Sequence, residues 1–186
     1  MKQILIIITV TITIFGLGYF LDSSSIPTQV SIEQEHDEII NTKIALPQFK
    51  FNDLEGTQQD ITKFQGKKII LNFWATWCGP CKEEFPEMLE ILKEDNNTVL
   101  VAISNDANKI EVQKFIKKLK TEAIDLESER VFIGFDPNKE ISSELFNVLR
   151  LPETFIIDSQ MNIIRKVIGS YHWTNKDMHK FIKEMN

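Results

Sequence analysis

Two thiols are the most reactive groups this chain offers. Cys78 and Cys81 are its only cysteines and are separated by Gly79 and Pro80. The run Ile69-Ile70-Leu71-Asn72-Phe73-Trp74 before them is almost wholly apolar, which suits a central strand buried on both faces. After them Phe85, Met88, Leu89 and Leu92 recur at helical spacing, so the pair lies where a strand hands over to a helix. Cys78, at the helix entry, faces unpaired backbone amides and the positive end of the helix dipole. Together these favour thiolate over thiol by up to about 2 kcal/mol. The thiolate is the attacking species in disulfide exchange, so Cys78 reads as the nucleophile. Cys81, deeper in the first turn, reads as the thiol that resolves a mixed disulfide.

The same spacing suits half of a zinc site or an inert structural disulfide. Zinc wants four ligands, however, and the chain has no further cysteine, while His36, His172 and His179 are scattered. No metal site is expected, and no cofactor beyond the cysteine pair itself. Thirteen Phe among 186 residues can supply a real core, so the chain does not need a staple to fold. A net charge of -6 argues against nucleic acid, which requires clustered Lys and Arg. A peroxidase of the peroxiredoxin type is disfavoured, because Leu71 and Ala75 stand where its Pro-x-x-x-Thr-x-x-Cys pattern needs Pro and Thr.

The elements that must position the thiols begin after an N-terminal appendage. Ile4 to Leu21 is uncharged and long enough to cross a bilayer as a helix, so residues 1–21 read as a membrane anchor or a signal sequence. Lys2 precedes this run and no Lys or Arg follows until Lys43, which places the remainder outside the cytoplasm, on the periplasmic side. If Ser23 or Ser25 marks a signal-peptidase site, the chain is instead exported after cleavage. Residues 22–43, with Ser23 to Ser25, Pro27, Glu33, Glu35, Asp37 and Glu38, read as a polar linker.

From about Ile44 short apolar runs alternate with amphipathic stretches, and the class is α/β over residues 44–186. Strands are expected at Val99 to Ile103, Val131 to Phe135, Thr154 to Asp158 and Ile163 to Gly169. A helix is expected to carry Val112, Phe115, Ile116 and Leu119 on one face, and another spans Lys139 to Phe146. A last helix follows, with Thr174 as its N-cap and Met178, Phe181, Ile182 and Met185 on its apolar face. Pro86 removes the amide that would bond the Lys82 carbonyl, so the first helix is expected to bend there.

The segment Asn72-Phe73-Trp74-Ala75-Thr76-Trp77-Cys78-Gly79-Pro80-Cys81 resembles the active-site segment of the thioredoxin superfamily, and more narrowly its extracytoplasmic TlpA/ResA and CcmG/DsbE branch. Leu46-Pro47-Gln48-Phe49 is similar to the N-terminal entry of that branch. Leu151-Pro152-Glu153-Thr154-Phe155-Ile156-Ile157-Asp158 is similar to its later proline loop. The resemblance covers about Ile44 to Asn186. It implies a thioredoxin-like fold: a central mixed sheet flanked by helices, with an N-terminal extension and a central insertion.

The resemblance further implies that Pro152 is cis and that the backbone of Leu151 pairs with an extended substrate, beside Trp77, Gly79 and Pro80. It also implies an acid three positions after the second cysteine, where Glu84 stands, moving protons to or from the thiols; a first-turn Glu is also favoured by the helix dipole alone. Two positions depart from the pattern. Asn72 stands where thioredoxin carries a buried aspartate, and Arg150 where a glycine is common. Trp74 and Trp77 read as packing or groove-lining aromatics.

The function implied is a thiol-disulfide oxidoreductase that reduces client proteins, such as apocytochrome c during cytochrome c maturation, and draws on a membrane thiol-disulfide electron donor. Run the other way, the same residues would serve a disulfide oxidant or isomerase. With Cu(I) on the thiols they would serve a copper-site assembly factor.

Overall fold

The computed structural model describes residues 36–121 and 129–185. The expected anchor over residues 1–21 lies outside them, and among the described residues no helix is long and apolar enough to cross a membrane. Eight strands form one sheet: β1 (His36–Ala45), β2 (Lys50–Asp53), β3 (Gln58–Asp60), β4 (Lys68–Trp74), β5 (Thr98–Ser104), β6 (Val131–Phe135), β7 (Glu153–Ile157) and β8 (Asn162–Ile168). Their order across the sheet is β1-β8-β7-β4-β5-β6-β2-β3. Three α-helices join them: α1 (Gly79–Glu94), α2 (Lys109–Thr121) and α3 (Lys176–Glu184). A 3-10 turn (Ile61–Phe64) and a π-helical turn (Glu140–Leu145) complete the elements of the described residues.

β4 is the central strand, buried at every position, parallel to β5 on one side and antiparallel to β7 on the other. Its side chains alternate between two cores. Ile70 and Trp74 join Phe85, Met88, Leu89 and Leu92 of α1, whereas Ile69, Leu71 and Phe73 join Phe49, Phe64, Phe146 and Phe155. The crossovers β4-α1-β5 and β5-α2-β6 link parallel neighbours stepping the same way across the sheet. Right-handed crossovers must then lay both helices on one face, and α3 joins them through Met178 and Ile182. The opposite face is covered by the two turns and the chain between β6 and β7.

Strand β1 takes in His36 to Lys43, residues that read in sequence as linker. It pairs antiparallel with β8, with a register shift between Ile39 and Ile44. That pairing is made by main-chain groups, which a polar composition does not reveal. Two further differences are local. The helix expected over Lys139 to Phe146 is a π-helical turn, in which the Phe146 amide donates to the Ile141 carbonyl. The N-cap of α3 is Asn175 rather than Thr174; its side chain accepts from the Asp177 amide at 2.9 Å.

Candidate active site

The site is set by the end of β4. Cys78 is the N-cap of α1, in extended conformation, and Cys81 lies in the first turn. The two are joined by a disulfide with S–S 2.00 Å and Cα–Cα 5.3 Å. The Cys81 amide donates to Cys78 Sγ at 3.3 Å, so the sulfur itself caps the helix. Pro80 fits this first turn because an amide there has no helical partner to lose. Both cysteines are buried, at 6% and 2% exposure, but Trp77, Gly79 and Pro80 around them are exposed. Nothing lies within 4 Å of where a Gly79 Cβ would be. The disulfide is thus covered by its own loop and open on one side.

Register brings the proline loop to the same place. Glu153 of β7 pairs with Phe73 of β4, so Pro152 falls level with Trp74, just ahead of the cysteine loop. The Leu151–Pro152 bond is cis, as the resemblance implied. The Pro152 carbonyl accepts from the Gly169 amide at 2.9 Å, which ties the loop to the end of β8. Thr76 is held from β5's side. Its amide and hydroxyl donate to Asp106 at 2.8 and 2.6 Å, and Asp106 also accepts from the Ser104 hydroxyl at 2.8 Å. Asp106→Ala would leave the buried Ser104 hydroxyl and the half-buried Thr76 donors without this acceptor. We expect it to lower stability by about 2–3 kcal/mol in urea denaturation.

Glu84 follows Cys81 by one helical turn, on the same side of α1. Only 3% of it is exposed. Its carboxylate accepts from the Tyr171 amide at 2.6 Å and the Trp173 indole Nε1 at 3.1 Å, and also from the Ser170 hydroxyl. Burial is the strongest influence and pushes its carboxyl up to about 7. The three donors pull the other way and Glu87 adds to the rise. Glu87 in turn accepts from the Trp173 amide at 2.7 Å, so two carboxylates of α1 hold the loop after β8. Asn72 is buried and donates to Thr154 Oγ1 at 2.9 Å, so no acid stands beneath the disulfide at that position.

The structure therefore brings together Trp77, Cys78, Gly79, Pro80, Cys81, Leu151 and Pro152, with Glu84 behind the pair. Trp74 is set apart. It is wholly buried, its ring 5.1 Å from Phe85 and 5.2 Å from Phe115, so it packs the core rather than lining the opening. His172 and His179 do not converge on the cysteines: His179 meets Glu94 at 2.9 Å and His172 lies 3.9 Å from Glu87. Sequence reading missed Tyr171 and Trp173, which lie 87 and 89 positions from the glutamate they hold, as well as Asp106. It also missed Glu153, a buried carboxyl next to Pro152 that is paired with Lys166 at 2.7 Å and raised by burial.

Residues 41–182 match the Redoxin family. This chain belongs to that family. Among redoxins it is of the ResA kind. It is 30% identical to the thiol-disulfide oxidoreductase ResA of Bacillus thuringiensis subsp. konkukian over 141 residues, 75% of each chain. The fold is shared with a secreted thiol-disulfide isomerase from Corynebacterium glutamicum (19% identity, TM-score 0.66, covering 86% of this chain and 99% of that one). It is shared too with a secreted Mycobacterium tuberculosis disulfide oxidoreductase homologous to E. coli DsbE (19%, TM-score 0.61, 74% and 96%). With its Cys78–Cys81 disulfide, the redoxin is a thiol-disulfide oxidoreductase.

Proposed function

We propose that this redoxin is a reductase of protein disulfides outside the cytoplasmic membrane. The observation that carries the reading is the cysteine pair at the entry of α1, open through Trp77, Gly79 and Pro80 and backed by a buried carboxyl that titrates near neutrality. In the reduced protein the Cys78 thiolate attacks one sulfur of a client disulfide, and the other client sulfur leaves as thiolate. Cys81 then gives its proton to Glu84 and attacks Cys78 Sγ. The Cys78–Cys81 bond forms, the bond to the client breaks, and the client's second sulfur leaves as thiolate and takes a proton from water, while Glu84 returns its own proton to solvent. Two electrons have passed to the client. The main chain of Leu151, ahead of cis-Pro152, is the place where an extended client segment would pair. No cofactor takes part.

Residues 4–21 would hold the domain at the membrane, near a thiol-disulfide donor that returns the two electrons. The haem-attachment cysteines of apocytochrome c are the client class suggested by the resemblance to the ResA and DsbE branch. The direction of flow is tested in cells by acid quenching and alkylation of free thiols. A reductase keeps Cys78 and Cys81 mostly as dithiol, and deleting it lowers haem-bearing cytochrome c. A pair found oxidised at steady state, with cytochrome c unaffected, would favour the oxidant or isomerase reading instead.

A further inference from the structure

Beside the disulfide an open cleft of about 130 Å³ runs between Trp77 and the chain from Lys139 to Leu151. Its wall is irregular and firmly held. Lys139, at the entry of the π-helical turn, has a φ of 61°, a region that lysine seldom adopts, and Asn147 after the turn has 51°, which asparagine tolerates. Such backbone persists only where surrounding bonds enforce it. Here the Asp136 carboxylate accepts from the Ile141 and Ser142 amides at 3.2 and 2.8 Å, and the Asn105 side chain donates to Ser142 Oγ at 2.7 Å.

These bonds hold the turn that Lys139 opens, and Arg150 lines the same cleft from further along the chain. Both are exposed and both line the cleft, together with the exposed side chains of Trp77 and Leu149, at 67% and 86%. No carboxylate is among the lining residues, although the chain as a whole carries a charge of -6. Glu140 and Glu144 of the same turn do not line it, and Glu153, near Arg150, is paired with Lys166. An acidic protein that keeps two cations and two bare apolar groups in a cleft walled by Trp77, the residue before its reactive cysteine, is complementary there to a client of the opposite charge.

We propose that this cleft selects client segments that carry a carboxylate side chain close to the reactive cysteine, seated between Lys139 and Arg150, with an apolar residue against Trp77 and Leu149. The inference rests on the reductase reading and names the class of client. A basic segment would meet like charge there, so the cleft discriminates by repulsion as well as by attraction.

The test uses the full chain, reduced, with three short disulfide peptides that differ only in having Glu, Gln or Lys beside the first cysteine. The expected kcat/KM falls from Glu to Gln to Lys, about fivefold between the ends. The difference should shrink with added salt and vanish in the Lys139→Asn, Arg150→Gln variant. Asn is chosen for position 139 because it tolerates the left-handed conformation. Equal kcat/KM for the three peptides with the unaltered chain would overturn the cleft while leaving the reductase standing. Failure to reduce any of the three would overturn the reductase reading and the cleft with it.

Discussion

Replacing Cys78 by serine is expected to bring disulfide exchange down to the uncatalysed rate, whereas Cys81→Ser leaves the first attack intact and stops the cycle half-way. The two thiols differ in position. Cys78 caps α1 beside the exposed Trp77, Gly79 and Pro80, where unpaired amides and the helix dipole favour a thiolate. Cys81 is inside the turn at 2% exposure and has its reach limited to Cys78. In the Cys81→Ser protein no second sulfur is present to displace the client, so a Cys78–client mixed disulfide accumulates. Mass spectrometry after non-reducing isolation reads it directly. Capture of clients by Cys81 in the Cys78→Ser protein would reverse the assigned roles.

Glu84→Gln is expected to change two pH profiles at once. The first is exchange. Reduction of a client by the unaltered protein should rise as Glu84 ionises near pH 7 and becomes able to take the Cys81 proton. The glutamine protein should lack that limb, and an identical profile in the two proteins would remove Glu84 from proton transfer.

The second profile is stability. Folded Glu84 keeps its proton up to about pH 7, whereas its ordinary value is 4.5. Between those values the folded state binds more protons than the unfolded one. The stabilisation of the neutral form is complete below about 4.5 and is lost as pH rises through 7. The loss is roughly 3 kcal/mol at 1.36 kcal/mol per pKa unit. Urea denaturation across that window should show a slope that Glu84→Gln reduces. Some slope should remain, because burial also raises the Glu153 carboxyl despite the opposing pull of Lys166 and Arg150.

What was legible in the sequence was local or periodic. The β4 run, the Phe85-Met88-Leu89-Leu92 stripe and the cysteines between them are neighbours in sequence, so the strand, the helix and the capping place of Cys78 followed together. The strands β5, β6, β7 and β8 appeared because their apolar runs are flanked by turn residues. β2 and β3 are four and three residues long and mostly polar, too short to show a period. Lys139 to Phe146 has helical composition, but the Asp136 carboxylate and Asn105 draw its first turn into a wider π pitch. Thr174 and Asn175 are both good caps, and only the fold selects between them.

The candidate site divides in the same way. The disulfide and its exposed loop are written in consecutive residues. The environment that makes Glu84 titrate near neutrality comes from Ser170, Tyr171 and Trp173, which are ordinary residues in sequence until β8 delivers them to α1. The cleft likewise joins Trp77 to Lys139 and Arg150 across the sheet, so its charge is invisible before the fold is known.

The reduction potential of the Cys78/Cys81 couple, measured by equilibrating the protein with glutathione or dithiothreitol buffers and reading the dithiol fraction, tests the central claim most directly. A reductase working in an oxidising compartment should show about -270 mV, the thioredoxin value, or lower. A value near about -120 mV, that of a strong oxidant, would contradict it.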